Sequence, residues 1–243
     1  MSTPTPSEDV RSVLVVAAHP DDIDFGAAGT VAGWTAAGIR VTYCVCTSGE
    51  ASAPADGDTA ETATLREAEQ RAAAAQVGVE DVVFLRYPDG GLTASMELRR
   101  DITRVIRKVR PDRVLAWSPE INWERVATTH PDHRASGEAA FAAVFPDSRN
   151  PHAHRSLLDD EGLEPWRVRE LWVNDGPAPL RNHVVDVTDT FDKKLAALRC
   201  HTSQVGDGVE LEKALRRGFG AFARNAGLGE GRYAEIFQVV DTR

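Results

Sequence analysis

Residues 13–22, Val-Leu-Val-Val-Ala-Ala-His-Pro-Asp-Asp, decide how this chain folds. Six consecutive apolar residues, with no polar alternation, describe a strand buried on both faces, as in a parallel sheet. The run stops on His19-Pro20-Asp21-Asp22, so titratable side chains cluster at the carboxyl end of that strand. A helix is expected from about Asp24 to Ala37, stopped by Gly38. The second strand is Val41 to Cys46, followed by a small, polar loop from Ser48 to Asp58. Asp58-x-x-Glu61 has capping-box spacing and opens an Ala-rich helix to Val77. Val82 to Leu85 is the third strand, closed by Tyr87-Pro88-Asp89-Gly90-Gly91. Leu98, Ile102, Val105, Ile106 and Val109 form a helical stripe that Pro111 ends. Val114 to Trp117 is the fourth strand, and a helix starts near Pro131 and runs to Val144.

Past residue 145 the signal thins. Residues 146–167 are rich in turn formers and read as a surface excursion. Leu171 to Val173 and Val184 to Val187 read as further strands, with helices over Asp189–Cys200 and Val209–Phe222. Strand and helix alternate through most of the chain, which specifies the α/β class: a Rossmann-like, mostly parallel sheet with helices on both faces. Residues 1–11 read as a disordered N-terminal segment and 12–243 as a single domain.

The totals narrow the function classes. At 243 residues, 42% hydrophobic and 27% charged, the chain matches an ordinary soluble globular protein with a sizeable core. A formal charge of −9 argues against a nucleic-acid partner, which needs clustered Lys and Arg. The N-terminus has no apolar h-region and no apolar run is long enough to span a membrane, so a cytoplasmic location is expected. The sequence leaves room for a homo-oligomer. Cys44, Cys46 and Cys200 are odd in number, and the first two alternate within a strand, so buried reduced thiols are expected.

Two short segments hold most of the chemistry. His19-Pro20-Asp21-Asp22 follows the first strand and His130-Pro131-Asp132-His133 follows the fourth. In an open α/β sheet both lie at the carboxyl edge, where ligands bind. His19 and Asp22 are three residues apart, as are His130 and His133, and such spacing lets two side chains face one ion from a tight turn or a helix start. Two His and one carboxylate, with a position open for water, make a catalytic zinc set. Asp21 cannot share the direction of Asp22 and is free to take a proton from water that zinc acidifies toward about pKa 7.

Ala18-His19-Pro20-Asp21-Asp22 after the first strand, with His130-Pro131-Asp132-His133 much later, resembles the PIG-L/LmbE family of zinc-dependent N-deacetylases. Further segments fall in the family's order: Thr47-Ser48-Gly49-Glu50, Arg66-x-x-Glu69, Pro88-Asp89-Gly90, and Lys194 with His201-x-Ser203-Gln204. The resemblance implies an LmbE-like fold with Zn2+ held by His19, Asp22 and His133. It implies Asp21 as the general base for attack of a zinc-bound water. His130 would stabilise the oxyanion as an imidazolium, with the Asp132 carboxylate orienting it. Arg66 and Asp89 would bind substrate hydroxyls. The implied partner is a small N-acylated amino sugar or glycoconjugate, losing an N-acetyl or similar small acyl group. An amidase acting on a non-sugar or thiol-conjugate amide is the alternative. One departure is visible: many members carry Glu directly after the Asp pair, whereas here Ile23 stands there and Asp24 follows.

Other classes fit less well. A dinucleotide-binding oxidoreductase needs Gly-x-Gly-x-x-Gly after the first strand, but the turn is His-Pro-Asp-Asp and Gly26 and Gly29 come later. A non-haem iron oxygenase shares the ligand types but not the strand–helix alternation, although ferrous iron suits the same donors. A non-catalytic metal-binding module has no use for Asp21. His152-x-His154 reads as exposed loop histidines, and Trp34, Trp117, Trp123, Trp166 and Trp172 read as scattered packing residues.

Overall fold

The computed structural model describes residues 9–126, 129–205 and 208–243. The expected disordered segment falls mostly on residues 1–8, outside those described; its last residues are seated, with Val10 buried and Asp9 2.8 Å from Arg169. Seven strands form one sheet: β1 Ser12–Ala17, β2 Arg40–Thr47, β3 Asp81–Tyr87, β4 Arg113–Trp117, β5 Glu170–Asn174, β6 His183–Asp186 and β7 Ala234–Asp241. Their order is β3-β2-β1-β4-β5-β7-β6. The neighbours from β3 through β5 pair in parallel, and β7 runs antiparallel to both β5 and β6. The sequence does not announce β7, because Gln238 interrupts its apolar run and Glu235 and Asp241 bound it.

Strand β1 divides the core as its unbroken apolar run requires. Val13, Val15 and Ala17 pack on one face, and Leu14, Val16 and Ala18 on the other. Burying each Val or Leu contributes about 1.5–3 kcal/mol, so the central strand is a rigid base for the turn at its carboxyl end. The chain builds outward from β1 to β2 and β3, then returns to place β4 on the other side of β1. The strand order therefore reverses between β1 and β4, and the crevice at their carboxyl ends is where such sheets bind ligands.

The helices are α1 Asp22–Gly26, α2 Ala28–Ala36, α3 Thr59–Gln76, α4 Met96–Val109, α5 Pro131–Val144, α6 Arg155–Asp159, α7 Phe191–Leu198, α8 Thr202–Val205 and α9 Val209–Asn225. Helix α3 starts where its capping signal lies, with the Asp58 side chain accepting the N–H groups of Ala60 and Glu61. The single helix expected over 24–37 is instead broken at Ala27, whose φ of −143° and ψ of 3° lie outside the helical region. The Glu235 carboxylate explains the second start: it accepts the N–H groups of Gly29 at 3.1 Å and Thr30 at 2.8 Å, capping α2 from a distant strand. Glu235 is balanced by Lys194 at 2.8 Å, and both side chains are fully buried. Helix α5 packs directly on β4: a Cβ added to Gly137 would meet the Trp117 carbonyl oxygen at 2.2 Å. That contact sets the start of α5 beside the end of β1.

The excursion at 146–167 is tied down by Asp147, which accepts from Arg99 at 2.9 and 3.1 Å and lies 3.0 Å from His154 Nε2. The His154 side chain is thus buried against Asp147 and is not the exposed loop residue its sequence context suggests. Cys44 and Cys46 are buried and free, and burial raises both thiols, Cys44 to about 12. Among the described residues no helix is long and apolar enough to cross a membrane.

Candidate metal centre and active-site cleft

The turn after β1 is strained in a way that separates its two aspartates. Asp21 has φ 89° and ψ −28°, a left-handed conformation that costs a non-glycine residue about 1–2 kcal/mol. Helix α3 holds it there from two positions one turn apart. Gln70 Oε1 accepts the Asp21 N–H at 2.8 Å, while Arg66 Nη2 donates to the Pro20 carbonyl at 2.7 Å and to Asp21 Oδ2 at 3.1 Å. Arg66 also donates to the Gly49 carbonyl at 3.0 Å. Asp21 thereby faces Arg66, and Asp22 faces the imidazoles, with His133 Nε2 2.8 Å from its Oδ1 and His19 Nδ1 3.5 Å from its Oδ2.

Gln70 continues the network inward. Its amide Nε2 donates to Asp24 Oδ2 at 2.9 Å, and His201 Nε2 lies 2.8 Å from the same oxygen. Asp24 and His201 are fully buried. Asp24, which follows the Ile23 that stands where many members carry Glu, is thus the anchor of the turn. Glu69, also on α3, accepts from Thr202 and Ser203, which fastens α8 beside the site. Of these residues, Gln70 carries no signal in the sequence.

At the start of α5, His130 is the N-cap and Pro131 the first helical residue. His130 Nδ1 accepts the Asp132 backbone N–H at 3.2 Å, which leaves the ring proton on Nε2. Burial first, then the charge of His19, lower the His130 pKa. That direction runs against the expected imidazolium, although the Asp132 carboxylate pulls the other way, and Asp132 meets the ring through its main-chain N–H. The Asp132 carboxylate is elsewhere, accepting the N–H groups of Gly90 at 2.8 Å and Leu92 at 3.2 Å, with Oδ2 3.4 Å from His19 Nε2.

Asp89 joins the same corner. Its Oδ1 lies 3.1 Å from His19 Nε2, and its Oδ2 accepts the Ala51 N–H at 2.9 Å. Glu50 Oε1 accepts the Asp89 N–H at 2.9 Å. Asp89 and Asp132 thus fix the His19 ring by its Nε2 side, turning Nδ1 toward Asp22, as carboxylates behind a ligating imidazole do. Of the two residues expected to bind substrate hydroxyls, Arg66 is buried under the Asp21 turn, and Asp89, its side chain 8% exposed, lies against His19.

One donor atom from each of His19, Asp22 and His133 falls within 4.8 Å of the others, and a second such group, His19, His130 and Asp132, shares His19. The electrostatics favour a cation among them. Burial lowers the His19 pKa, but the hydrogen bonds to Asp22 and Asp89 outweigh it and push it up to about 10. Burial raises Asp22, yet His133 and His19 hold its carboxyl far below the usual carboxylate range. Imidazole nitrogens and one carboxylate, converging with no thiolate, form a donor set that zinc accepts.

From Asp22 and His133 a cleft of about 630 Å³ extends past the ends of β4, β5 and β7 to α9. Trp117 lines it with Phe25, Phe219 and Phe222, so an aromatic wall exists that no sequence segment displays, its members being spread over distant elements.

Comparison with known proteins is consistent with this geometry. Residues 14–144, more than half the chain, match the family described as GlcNAc-PI de-N-acetylase, and that span contains both His/Asp clusters and the stretch of α3 that holds the Asp21 turn. The diacetylchitobiose deacetylase of Thermococcus kodakarensis is 35% identical over 84% of this chain and 74% of its own. The structure of the N,N'-diacetylchitobiose deacetylase of Pyrococcus horikoshii superposes with a TM-score of 0.87 at 31% identity, covering 97% of this chain and 85% of the other. A 4-carboxy-2-hydroxymuconate hydratase from Pseudomonas putida shares the fold at a TM-score of 0.77 and 23% identity, covering 96% of this chain and 97% of the other, so the fold by itself does not dictate the chemistry.

Proposed function

The chain belongs to the PIG-L family of de-N-acetylases, hydrolases of N-acetyl amide bonds, and we propose that it removes the acetyl group of a small N-acetylated amino sugar or glycoconjugate with zinc held by His19, Asp22 and His133. The observation that carries this reading is the divergence of Asp21 from Asp22: one carboxylate meets two imidazoles while its neighbour faces Arg66. When bound, the ion polarises the amide carbonyl and acidifies water.

The protein's own groups supply the rest. Burial first, then the charge of Asp22, push the Asp21 carboxyl up to about 7, with Arg66 pulling against both. A carboxylate in that range accepts a proton from water near neutral pH. The water oxygen bonds to the amide carbon, Asp21 takes its proton, and that proton passes to the nitrogen as the C–N bond breaks, releasing amine and acetate. His130 Nε2–H donates a hydrogen bond to the carbonyl oxygen as negative charge develops there. Arg66 acts through Asp21 and is a positioning residue. The polar edge over β2 and β3 receives the sugar, where Asp89 has lone pairs beyond those facing His19 and Ala51.

The test is an acetate-release screen of the zinc-loaded protein over N-acetylated sugars and glycosyl-inositols. Release that requires zinc and is lost in Asp21→Asn supports the reading. If no N-acetylated sugar is turned over while the protein binds one zinc per chain, the substrate class is wrong.

A further inference from the structure

A secondary amide is trans, so the sugar on its nitrogen and the acyl group on its carbonyl point away from each other. The site has two unlike sides to receive them. Over β2 and β3 lie polar groups, Asp89 and Glu50. Beside the donor atoms lies the cleft of about 630 Å³, walled by Phe25, Trp117, Leu215, Phe219, Phe222 and Ile236, with Asp22 and His133 in its lining. Its charged lining is internally engaged: Arg125 and Asp175 lie 3.4 Å apart, and Arg181 donates to the Gly176 carbonyl at 2.9 Å. A single acetyl methyl fills little of such a space. Gly218 borders the cleft from α9, and a Cβ added there meets nothing within 4 Å. A glycine is unfavourable inside a helix, and this one leaves the cleft open where a side chain would stand.

We propose that this cleft is an acyl-binding subsite, and that the enzyme hydrolyses N-acyl amino sugars with unbranched apolar acyl chains longer than acetyl in preference to N-acetyl ones. The proposal rests on the N-deacylase reading and on the sugar lying over β2 and β3. The acyl chain lies along Phe219 and Phe222 and is released as a medium-chain carboxylate.

The test measures kcat/KM for N-acetyl-, N-butanoyl-, N-hexanoyl- and N-octanoylglucosamine by glucosamine release. Each methylene seated on the wall should raise it about fourfold until the cleft is full. A flat or falling series overturns the proposal. In Gly218→Leu, which fills the cleft, the hexanoyl-to-acetyl ratio should fall toward one, and Phe222→Ala should lower it too; an unchanged ratio in both overturns the proposal. If alkyl β-glycosides of N-acetylglucosamine show the gain instead, and lose it in Gly218→Leu, the cleft holds the aglycone and the acyl assignment is wrong. Should no sugar be turned over, the N-deacylase reading fails, and calorimetric titration with hexanoate and acetate decides the subsite separately. Tighter hexanoate binding that Gly218→Leu abolishes supports it, and equal binding of the two acids overturns it.

Discussion

Gln70→Leu removes, at similar volume, both bonds by which α3 ties the Asp21 turn to Asp24. The Asp21 N–H loses its acceptor at 2.8 Å, and an unmet partly buried donor costs about 1–3 kcal/mol. Asp24, fully buried, loses one of two donors to its Oδ2 and keeps His201, a further loss of about 1.5–3 kcal/mol for a bond to a charged group. The two losses share one network and do not add fully, so the unfolding free energy should fall by about 2–4 kcal/mol. The left-handed backbone of Asp21, at φ 89°, is itself uphill by about 1–2 kcal/mol and relaxes once the amide is released. In the proposed mechanism relaxation carries the Asp21 carboxylate away from the attacking water, and a displacement of that kind costs about 10² in rate. Urea unfolding, steady-state kinetics and elemental zinc analysis on the same preparation separate these effects. The expected result is lower stability, kcat down about a hundredfold, and KM and zinc content unchanged. Gln70→Glu keeps the acceptor for Asp21 but sets a carboxylate against Asp24, so it should lose stability while retaining more of kcat than the leucine variant. A leucine variant with kcat within about twofold of the parent refutes the reasoning, because the Asp21 turn would then hold without Gln70.

The donor set, the buried pair and the cap can each be probed in the same way. His133→Ala should lose most of its zinc by elemental analysis, whereas Asp21→Asn should keep it and lose rate by about 10²–10⁴; zinc retained in the first, or rate in the second, would remove those roles. Lys194→Met strands the buried Glu235 carboxylate and should cost about 3–5 kcal/mol, a drop in melting temperature on the order of 10 °C, partly restored by adding Glu235→Gln. His130→Ala should cost about 1 kcal/mol as a lost cap, while His130→Asn keeps the cap and the stability. Both should lose rate alike through the missing Nε2–H; an active asparagine variant would reduce His130 to its capping role.

Much of the architecture is legible along the chain because its causes are local. The apolar run at 13–18, the capping spacing of Asp58 and Glu61, the stripe from Leu98 to Ile106 and Pro131 at a helix start each act within a few residues, and strand β1 and helices α3 to α5 appear where those signals stand. The break at Ala27 is not legible, because the carboxylate that caps α2 lies 206 residues away on β7. The partners of His154 and the aromatic wall of the cleft escape sequence reading for the same reason.

For the site, the sequence by itself determined which side chains carry donor atoms and that both clusters lie at strand ends. An i, i+3 spacing after a buried strand is a short-range fact, and the sheet brings two such ends together wherever its order reverses. Only the tertiary structure decided what each group faces. Asp21 and Asp22 are adjacent and chemically alike; they differ because Gln70 and Arg66, 49 and 45 residues away, twist one into a left-handed turn. His130 turns Nε2 outward because its Nδ1 caps α5, and Asp132 and Asp89 meet His19 because the turn after β3 folds against it. Donor identity is written in the chain, whereas direction, protonation and access depend on contacts between distant segments, which exist only once the core has packed.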